Sequence, residues 1–513
     1  MRGTYFASSI SRARARARAR RATRGGAART RRLARRRSRA MRRRALSALA
    51  RALRSEPSAP IVRTKIPGPS HATQMAELDA LGVDTGSIRF MIDVRASVGC
   101  YAFDGDGNAL LDMHGHIASL PLGYNHPRVL RAVTAPENAA TLAHRPALGV
   151  NPPTDWARRV ARTLGRTMPR GMSRVTTMAC GACANEHAMK AAFIGAANAR
   201  RGSKGIGAEE RESCMAHRAP GTPNFKVLSF DGAFHGRTAA CLSLTHTKWI
   251  HKLDFPAFDW PKCRFPKLKY PLDAHAEENA LEEERCLEEV EEALALDEDV
   301  VAVIVEPIQA EGGDNHASAN FFRGLRSITR ERGVRLIVDE VQTGCGASGT
   351  FWAHEAWGLE HPPDLVTFSK KMQIAGFYAT ADLAPELPYR IFNTWMGDPA
   401  KLIQLEAVLD EIEAENLLDV VKSAGGTLLS GLERLQAKYP NVLSNARGVG
   451  TLVAIDCDTP ERRDALLRDL LQNGVDIGGC GTRTIRARPS LNFTSAHAGT
   501  FLEIFERVLE GAK

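Results

Sequence analysis

Four short apolar runs set the rhythm of the chain: Lys226–Phe230, Val300–Glu306, Arg335–Val341 and Asp364–Phe368. Each is too short for an ordinary helix and apolar at consecutive positions, the pattern of a strand covered on both faces. Between them the spacing changes. In Glu278–Leu296, the residues Leu287, Val290 and Leu294 line one face of a strongly acidic segment, and Phe321–Arg332 also reads as a helix. The carboxylates of the acidic segment are expected to form a solvated face. Strands separated by helices predict a mainly parallel α/β sheet, with ligands at the carboxyl ends of its strands. After Pro399 the texture turns to helices over Leu402–Glu415 and Val420–Lys438, then a strand over Gly450–Cys457. The pattern predicts a large domain over 112–398 and a smaller α+β domain over 399–513, completed by 56–111. At 513 residues the chain has length enough for two packed domains.

Charge changes this picture only at one end. The net charge of +11 is concentrated in residues 1–54, which hold twenty arginines, no lysine and no carboxylate. Setting those twenty aside leaves 49 basic against 58 acidic residues, a formal charge of about −9 for the rest. A segment rich in Arg, Ala and Ser, without acids and without an apolar core, has the composition of an organelle transit peptide, here assigned to residues 1–55 and a mitochondrial destination. The alternative is an arginine-rich arm for nucleic-acid phosphates. Only Tyr5 and Phe6 could stack on bases there, and the body adds no basic stripe, so no nucleic-acid partner is expected. No run approaches the ~20 apolar residues of a membrane span, so no membrane association is expected either. Ten cysteines, scattered except for Cys180 and Cys183, do not form a secreted disulfide framework.

Chemistry gathers at the ends of the predicted strands. Asp339 closes the run RLIVDEVQTG, and a buried acid needs a cationic partner, such as the protonated ring nitrogen of a pyridine cofactor. Thirty-one residues on, the phrase FSKK again closes a strand. A lysine there can condense with an aldehyde and later move a proton. Neighbouring side chains on extended backbone point to opposite faces, so only one of Lys370 and Lys371 can do so, and spacing does not choose between them. The stretch MACGACANE runs into the helical AMKAAF, and small Gly181 and Ala182 let backbone N–H groups approach a phosphate. In GAFHGRT, Phe234 can stack on a ring and Arg237 can grip a carboxylate.

Taken together, MACGACANE, AFHGRT, VEPIQAEGGDNHAS, VDEVQTG, TFSKKM, YRIFNTWMGDP and IRARP resemble the class-III aminotransferases, fold type I enzymes dependent on pyridoxal 5'-phosphate (PLP). The resemblance runs from about Phe90 to the C-terminus and is strongest to the members acting on 4-aminobutyrate. It implies ping-pong transfer of the amino group of 4-aminobutyrate to 2-oxoglutarate, with β-alanine, 3-aminoisobutyrate or ornithine as alternative donors. A nucleic-acid-binding protein on a retired enzyme fold is the alternative from another class. Lys370 matches the lysine that takes the cofactor aldehyde, and Asp339 the partner of the ring nitrogen. Val341 and Phe234 would sandwich the ring, Gln342 would reach its hydroxyl, and His235 belongs with the cofactor-binding set. Thr394 would reach the phosphate held by a neighbouring subunit, which implies a homodimer. Arg237 would bind the carboxylate of 4-aminobutyrate and Arg486 the α-carboxylate of 2-oxoglutarate. Glu311 would neutralise Arg486 when the substrate lacks that group, while Glu306 and Ile117 would line the pocket. Cys180 and Cys183 match a pair that holds a 2Fe–2S cluster across the dimer axis in relatives.

Three departures from the pattern concern details. Ala182 stands where close relatives carry serine, a loss of about 1 kcal/mol for one hydrogen bond. Cys345 replaces a glycine, and His187 an asparagine.

Overall fold

The computed structural model describes residues 55–511. The arginine-rich segment read as a transit peptide lies, apart from Ser55, outside the described residues. Seven strands form the main sheet: β1 (Arg174–Met178), β2 (Lys226–Phe230), β3 (Lys262–Cys263), β4 (Val300–Val305), β5 (Arg335–Asp339), β6 (Leu365–Phe368) and β7 (Ala375–Ala379). Their spatial order is β1-β7-β6-β5-β4-β2-β3. All neighbouring pairs are parallel except those made by β7, which runs antiparallel to both β1 and β6.

The continuous apolar runs follow from burial on both faces. Alternate residues of one strand serve different cores. Val303, Val305, Leu336, Val338 and Phe368 pack with Val290 and Leu294 of α2 (Ala276–Leu296) and Phe321, Phe322 and Leu325 of α3 (Ala319–Glu331). Ala302, Ile304, Ile337 and Leu365 face the other way, against Ala184, Ala188, Met189 and Ala192 of α1 (Gly181–Arg201). Ile304 is fully buried at the middle of this stack. Its replacement by valine should cost about 0.5–1.5 kcal/mol, read as a lower urea midpoint without loss of assembly.

Helix and strand ends differ from the sequence pattern by a few residues, each for a local reason. The β5 strand stops at Asp339, before Glu340 and Val341, because the Asp339 carboxylate accepts the Val341 N–H at 3.0 Å and turns the chain. Helix α3 starts before Phe321 because Ser318 caps it, accepting from Asn320 and Phe321. The expected strand from Gly450 begins at Leu452, since Gly450 (φ 54) and Thr451 form the turn of a hairpin between Leu443–Val449 and Leu452–Cys457. One carboxylate of α2 is not solvated: buried Glu283 accepts from the N–H and hydroxyl of Ser318, each at 2.6 Å.

A four-stranded antiparallel sheet lies in the C-terminal part, and a three-stranded one joins Tyr101–Phe103, Ala109–Asp112 and Val475–Asp476. A single apolar core unites Tyr101, Leu111 and Met113 with Leu428, Val453, Phe501 and Phe505 from the C-terminal segment. All ten cysteines are unpaired. Among the described residues no helix is long and apolar enough to cross a membrane.

Candidate active site

The carboxyl ends of β4, β5 and β6 and the start of α1 enclose one cavity, lined among others by Gly181, Ala182, Phe234, Glu306, Asp339, Val341, Gln342 and Lys370. Asp339 and Lys370 thus meet on the same side of the sheet. Lys371 does not join them; its amine donates to the Ala118 carbonyl at 3.2 Å.

Asp339 is held on all sides. One carboxylate oxygen takes His235 Nδ1 and Asn185 Nδ2, both at 2.8 Å, and the other takes the Val341 N–H and the Thr367 hydroxyl. Asn185 is a member of this site that the sequence reading left out. It lies one helical turn after Gly181, inside the quoted motif, and that i, i+4 spacing is the signal that marks it. His235 lies buried on the cavity wall. Its Nε2, together with Asn185 Oδ1 and Glu306 Oε2, is buried without a hydrogen-bond partner.

Burial, reinforced by Asp339, drives the Glu306 carboxyl well above the usual carboxylate range. Burial also pushes Lys370 down to about 8, against the pull of Glu311 and with Arg486 and Arg488 adding to the fall. In cofactor-free protein, labelling of Lys370 by an amine-reactive reagent should therefore have a midpoint near pH 8. Unfolded lysine keeps its proton to about 10.4. Between those values the unfolded state binds more protons, so this group makes stability rise with pH across that window and contributes no slope below it.

The first turn of α1 offers its free N–H groups to the cavity, as an anion site requires. Gly181 is needed there: a Cβ would meet Val341 Cγ1 at 2.8 Å. Gly236 (φ +130) packs as closely on Ala182.

Beyond the ring site lie two ion pairs, each with a buried arginine. Arg486 pairs with Glu311, and Arg488 with Asp314. Gln342 Oε1 accepts from Arg488 at 2.9 Å and lies 3.5 Å from Arg486, so it joins both pairs to the cavity. Burial would raise Glu311, but the Arg486 guanidinium overrides it and holds the carboxyl below its usual value. Arg486 itself is raised by its acidic surroundings despite burial.

Other candidates lie apart from the cavity lining. Arg237 is exposed, stacked over Phe234 at 5.2 Å, and makes no ion pair among the described residues. Ile117 is 56% exposed and Thr394 is also exposed. Cys180, exposed, is the residue before α1, and Cys183 lies half-buried in its first turn. Cys345 is buried at φ 72, a conformation that glycine adopts without strain. His187 Nδ1 donates to the Cys183 carbonyl, 2.8 Å away.

A buried acid for a ring nitrogen, a helix start for a phosphate and an amine for an aldehyde fit one group, and the unpartnered polar atoms around them mark a place that expects it. The fold and cavity are those of a PLP-dependent transferase of fold type I. Residues 83–509 match the family described as Aminotransferase class-III, and the chain belongs to that family. It is 47% identical over 458 residues to the mitochondrial 4-aminobutyrate aminotransferase of Mus musculus, covering 88% of this chain and 91% of that one. The 4-aminobutyrate aminotransferase of Dictyostelium discoideum is 49% identical over 452 residues, with the same coverage. Among solved structures, a lysine aminotransferase from M. tuberculosis superposes with a TM-score of 0.77 at 30% identity, covering 86% of this chain and 99% of that one.

Proposed function

We propose that the protein transfers the amino group of 4-aminobutyrate to 2-oxoglutarate, giving succinate semialdehyde and glutamate in two half-reactions. The observation that carries this reading is the Arg486–Glu311 pair beside the Lys370 cavity, in a chain 46–49% identical to curated 4-aminobutyrate aminotransferases. When bound, PLP supplies the aldehyde that receives the amino group and a ring that accepts electrons from the reacting carbon. The chain supplies the rest. Asp339 fixes the charge at the ring nitrogen, with Asn185 and His235 holding its carboxylate in place. Lys370 Nζ would take the proton from the amine-bearing carbon of the donor and pass it to the carbon that the cofactor aldehyde supplies. The α1 N–H groups at Gly181 and Ala182 bind the phosphate. Phe234 and Val341 flank the ring, Glu306 and Ile117 bound the pocket, and Arg237 receives the donor carboxylate.

One site must serve a donor with a single carboxylate and an acceptor with two. In the first half-reaction Glu311 satisfies Arg486. In the second, Glu311 moves aside and the α-carboxylate of 2-oxoglutarate takes its place. Assays of purified protein with 4-aminobutyrate, β-alanine, 3-aminoisobutyrate and ornithine, each against 2-oxoglutarate and pyruvate, test the assignment. A clear preference for another donor would replace it.

The working unit of this proposal is a homodimer, in which Thr394 reaches the partner's phosphate. Trp249, Ile250, Leu253, Phe255 and Phe258, close together in sequence, are all exposed on a single chain, which supports burial against a second copy. Cys180 and Cys183 would hold a 2Fe–2S cluster jointly with the same pair of the other chain, since one chain offers two of the four thiolates required. Replacing both with serine should abolish bound iron and acid-labile sulfide while PLP content is retained, as checked by elemental analysis and absorbance. The mitochondrial names of several relatives and the arginine-rich leader together support import into the matrix. N-terminal sequencing of organellar protein would read the processed end.

A further inference from the structure

Lys370 and Lys371 are adjacent, and both sit in surroundings that favour the neutral amine. Burial lowers Lys371 to about 7, below the value of about 8 for Lys370. Lys371 is 1% exposed and has no carboxylate partner among the described residues. Burial thus favours the neutral amine at both lysines, and position has to choose between them.

The geometry around Lys371 is unusual in one respect. Gly115, His116, Ile117 and Ala118 have φ of 56, 50, 59 and 62, a full turn of left-handed helix. The turn is closed by Ala118 N–H to His114 O at 3.0 Å and Ser119 N–H to Gly115 O at 2.8 Å. Consecutive non-glycine residues of this hand are disfavoured and persist only where their surroundings fix them. Asp112 does so at the entrance: its Oδ1 accepts the N–H of His114 and Gly115, and its Oδ2 takes the Tyr124 hydroxyl. Gly115 lies against the Arg488 carbonyl, where a Cβ would come within 2.6 Å.

At its exit the turn meets the lysine loop. The Ala118 carbonyl receives the Lys371 amine, and the Ser119 carbonyl receives Gln373 Nε2 at 3.1 Å. The same Gln373 amide lies 3.3 Å from the Lys370 carbonyl. Lys370 and Gln373 are themselves left-handed, with φ of 46 and 63.

We propose that the left-handed turn Gly115–Ala118 selects which lysine of the pair meets the cofactor. It ties the Lys371 amine to a carbonyl outside the cavity and, through Gln373, locks the backbone of Lys370 in the conformation that lines the cavity. Lys371 and Gln373 are positioning residues, and Ile117 rides on the turn they hold. This inference rests on the reading of Lys370 as the cofactor lysine.

The test is the partition of a covalent label. Holoenzyme is reduced with borohydride, which fixes the cofactor to the lysine carrying it, and the modified residue is located by peptide mass spectrometry. Ala118→Pro forces φ to about −65 and removes the N–H that closes the turn. Gln373→Ala removes the side-chain bridge from the Ser119 carbonyl to the Lys370 carbonyl, with less risk to folding, and leaves only the Gln373 N–H to Lys370 carbonyl bond at 2.8 Å. Ala118→Gly keeps the left-handed conformation accessible and serves as the conservative control. Wild-type and Ala118→Gly protein should carry label on Lys370 alone. Ala118→Pro or Gln373→Ala should move a tenth or more of it to Lys371. With Lys370→Ala, the intact turn should leave Lys371 unlabelled, and adding Gln373→Ala should expose it. Label confined to Lys370 in folded Ala118→Pro and Gln373→Ala proteins overturns the proposal, as does free labelling of Lys371 in Lys370→Ala alone. Wild-type label on Lys371, or on neither lysine, instead overturns the reading of Lys370.

Discussion

Lys370→Ala should lower turnover of 4-aminobutyrate by roughly 10⁴-fold, the upper range for removing a positioned proton-transfer group. The protein should still fold and still bind PLP through the α1 N–H groups and Asp339, because neither depends on the amine. What is lost is the group that takes the proton from the donor carbon. An added small primary amine should recover part of the rate, in proportion to its concentration and with a dependence on its own pKa. The recovery separates lost proton transfer from lost structure, and single-turnover absorbance of the two half-reactions reads it. Near-normal turnover in this variant would remove Lys370 from the mechanism altogether.

The sheet was legible where both its faces are covered. Val300–Val305 and Leu336–Val338 are apolar without interruption because α1 packs on one side and α2 and α3 on the other. β1 and β7 went unread, β7 although it is buried along its whole length. Ala375–Ala379 carries two alanines and Gly376, whose missing side chain makes room for the Thr176 carbonyl of β1, 2.3 Å from where a Cβ would stand. Such a strand is specified by close backbone approach rather than by hydrophobic period. Strand ends were read one or two residues long for a related reason. Glu306 and Val341 follow the strands in sequence, but there the chain begins to serve the cavity: Glu306 lies near the Phe234 N–H, and Val341 donates to Asp339.

The site was legible as phrases and not as geometry. Spacing alone could not say which lysine faces Asp339, because the answer lies 253 residues away in the turn that receives Lys371. Asn185 lay unremarked within a quoted motif, although it donates to the same carboxylate oxygen as His235. The Arg486–Glu311 contact also joins residues far apart in sequence, 175 positions, and no local pattern in either segment pairs them. Family resemblance named these two together. The structure places Gln342 Oε1 between Arg486 and Arg488 and on the lining of the cavity.

Glu311→Gln should separate the two half-reactions. The Arg486 side chain is 5% exposed, and removing its partner's charge leaves a buried guanidinium uncompensated. The cost of breaking such a pair is about 3–5 kcal/mol, which corresponds to a loss of roughly 10²–10⁴-fold in kcat/KM for 4-aminobutyrate. The reaction with 2-oxoglutarate should change far less, because its α-carboxylate restores the missing charge and no carboxylate has to be displaced first. Arg486→Met should show the opposite bias, sparing the donor and weakening the acceptor. The double variant then supplies the sharpest reading. With Arg486 gone there is no buried cation to satisfy, so Glu311→Gln/Arg486→Met should recover most of the activity toward 4-aminobutyrate that Glu311→Gln alone loses, a coupling available only to residues acting on one another. Equal losses in both half-reactions for Glu311→Gln, or additive effects in the double variant, would mean that this ion pair serves folding and leaves substrate choice to other residues.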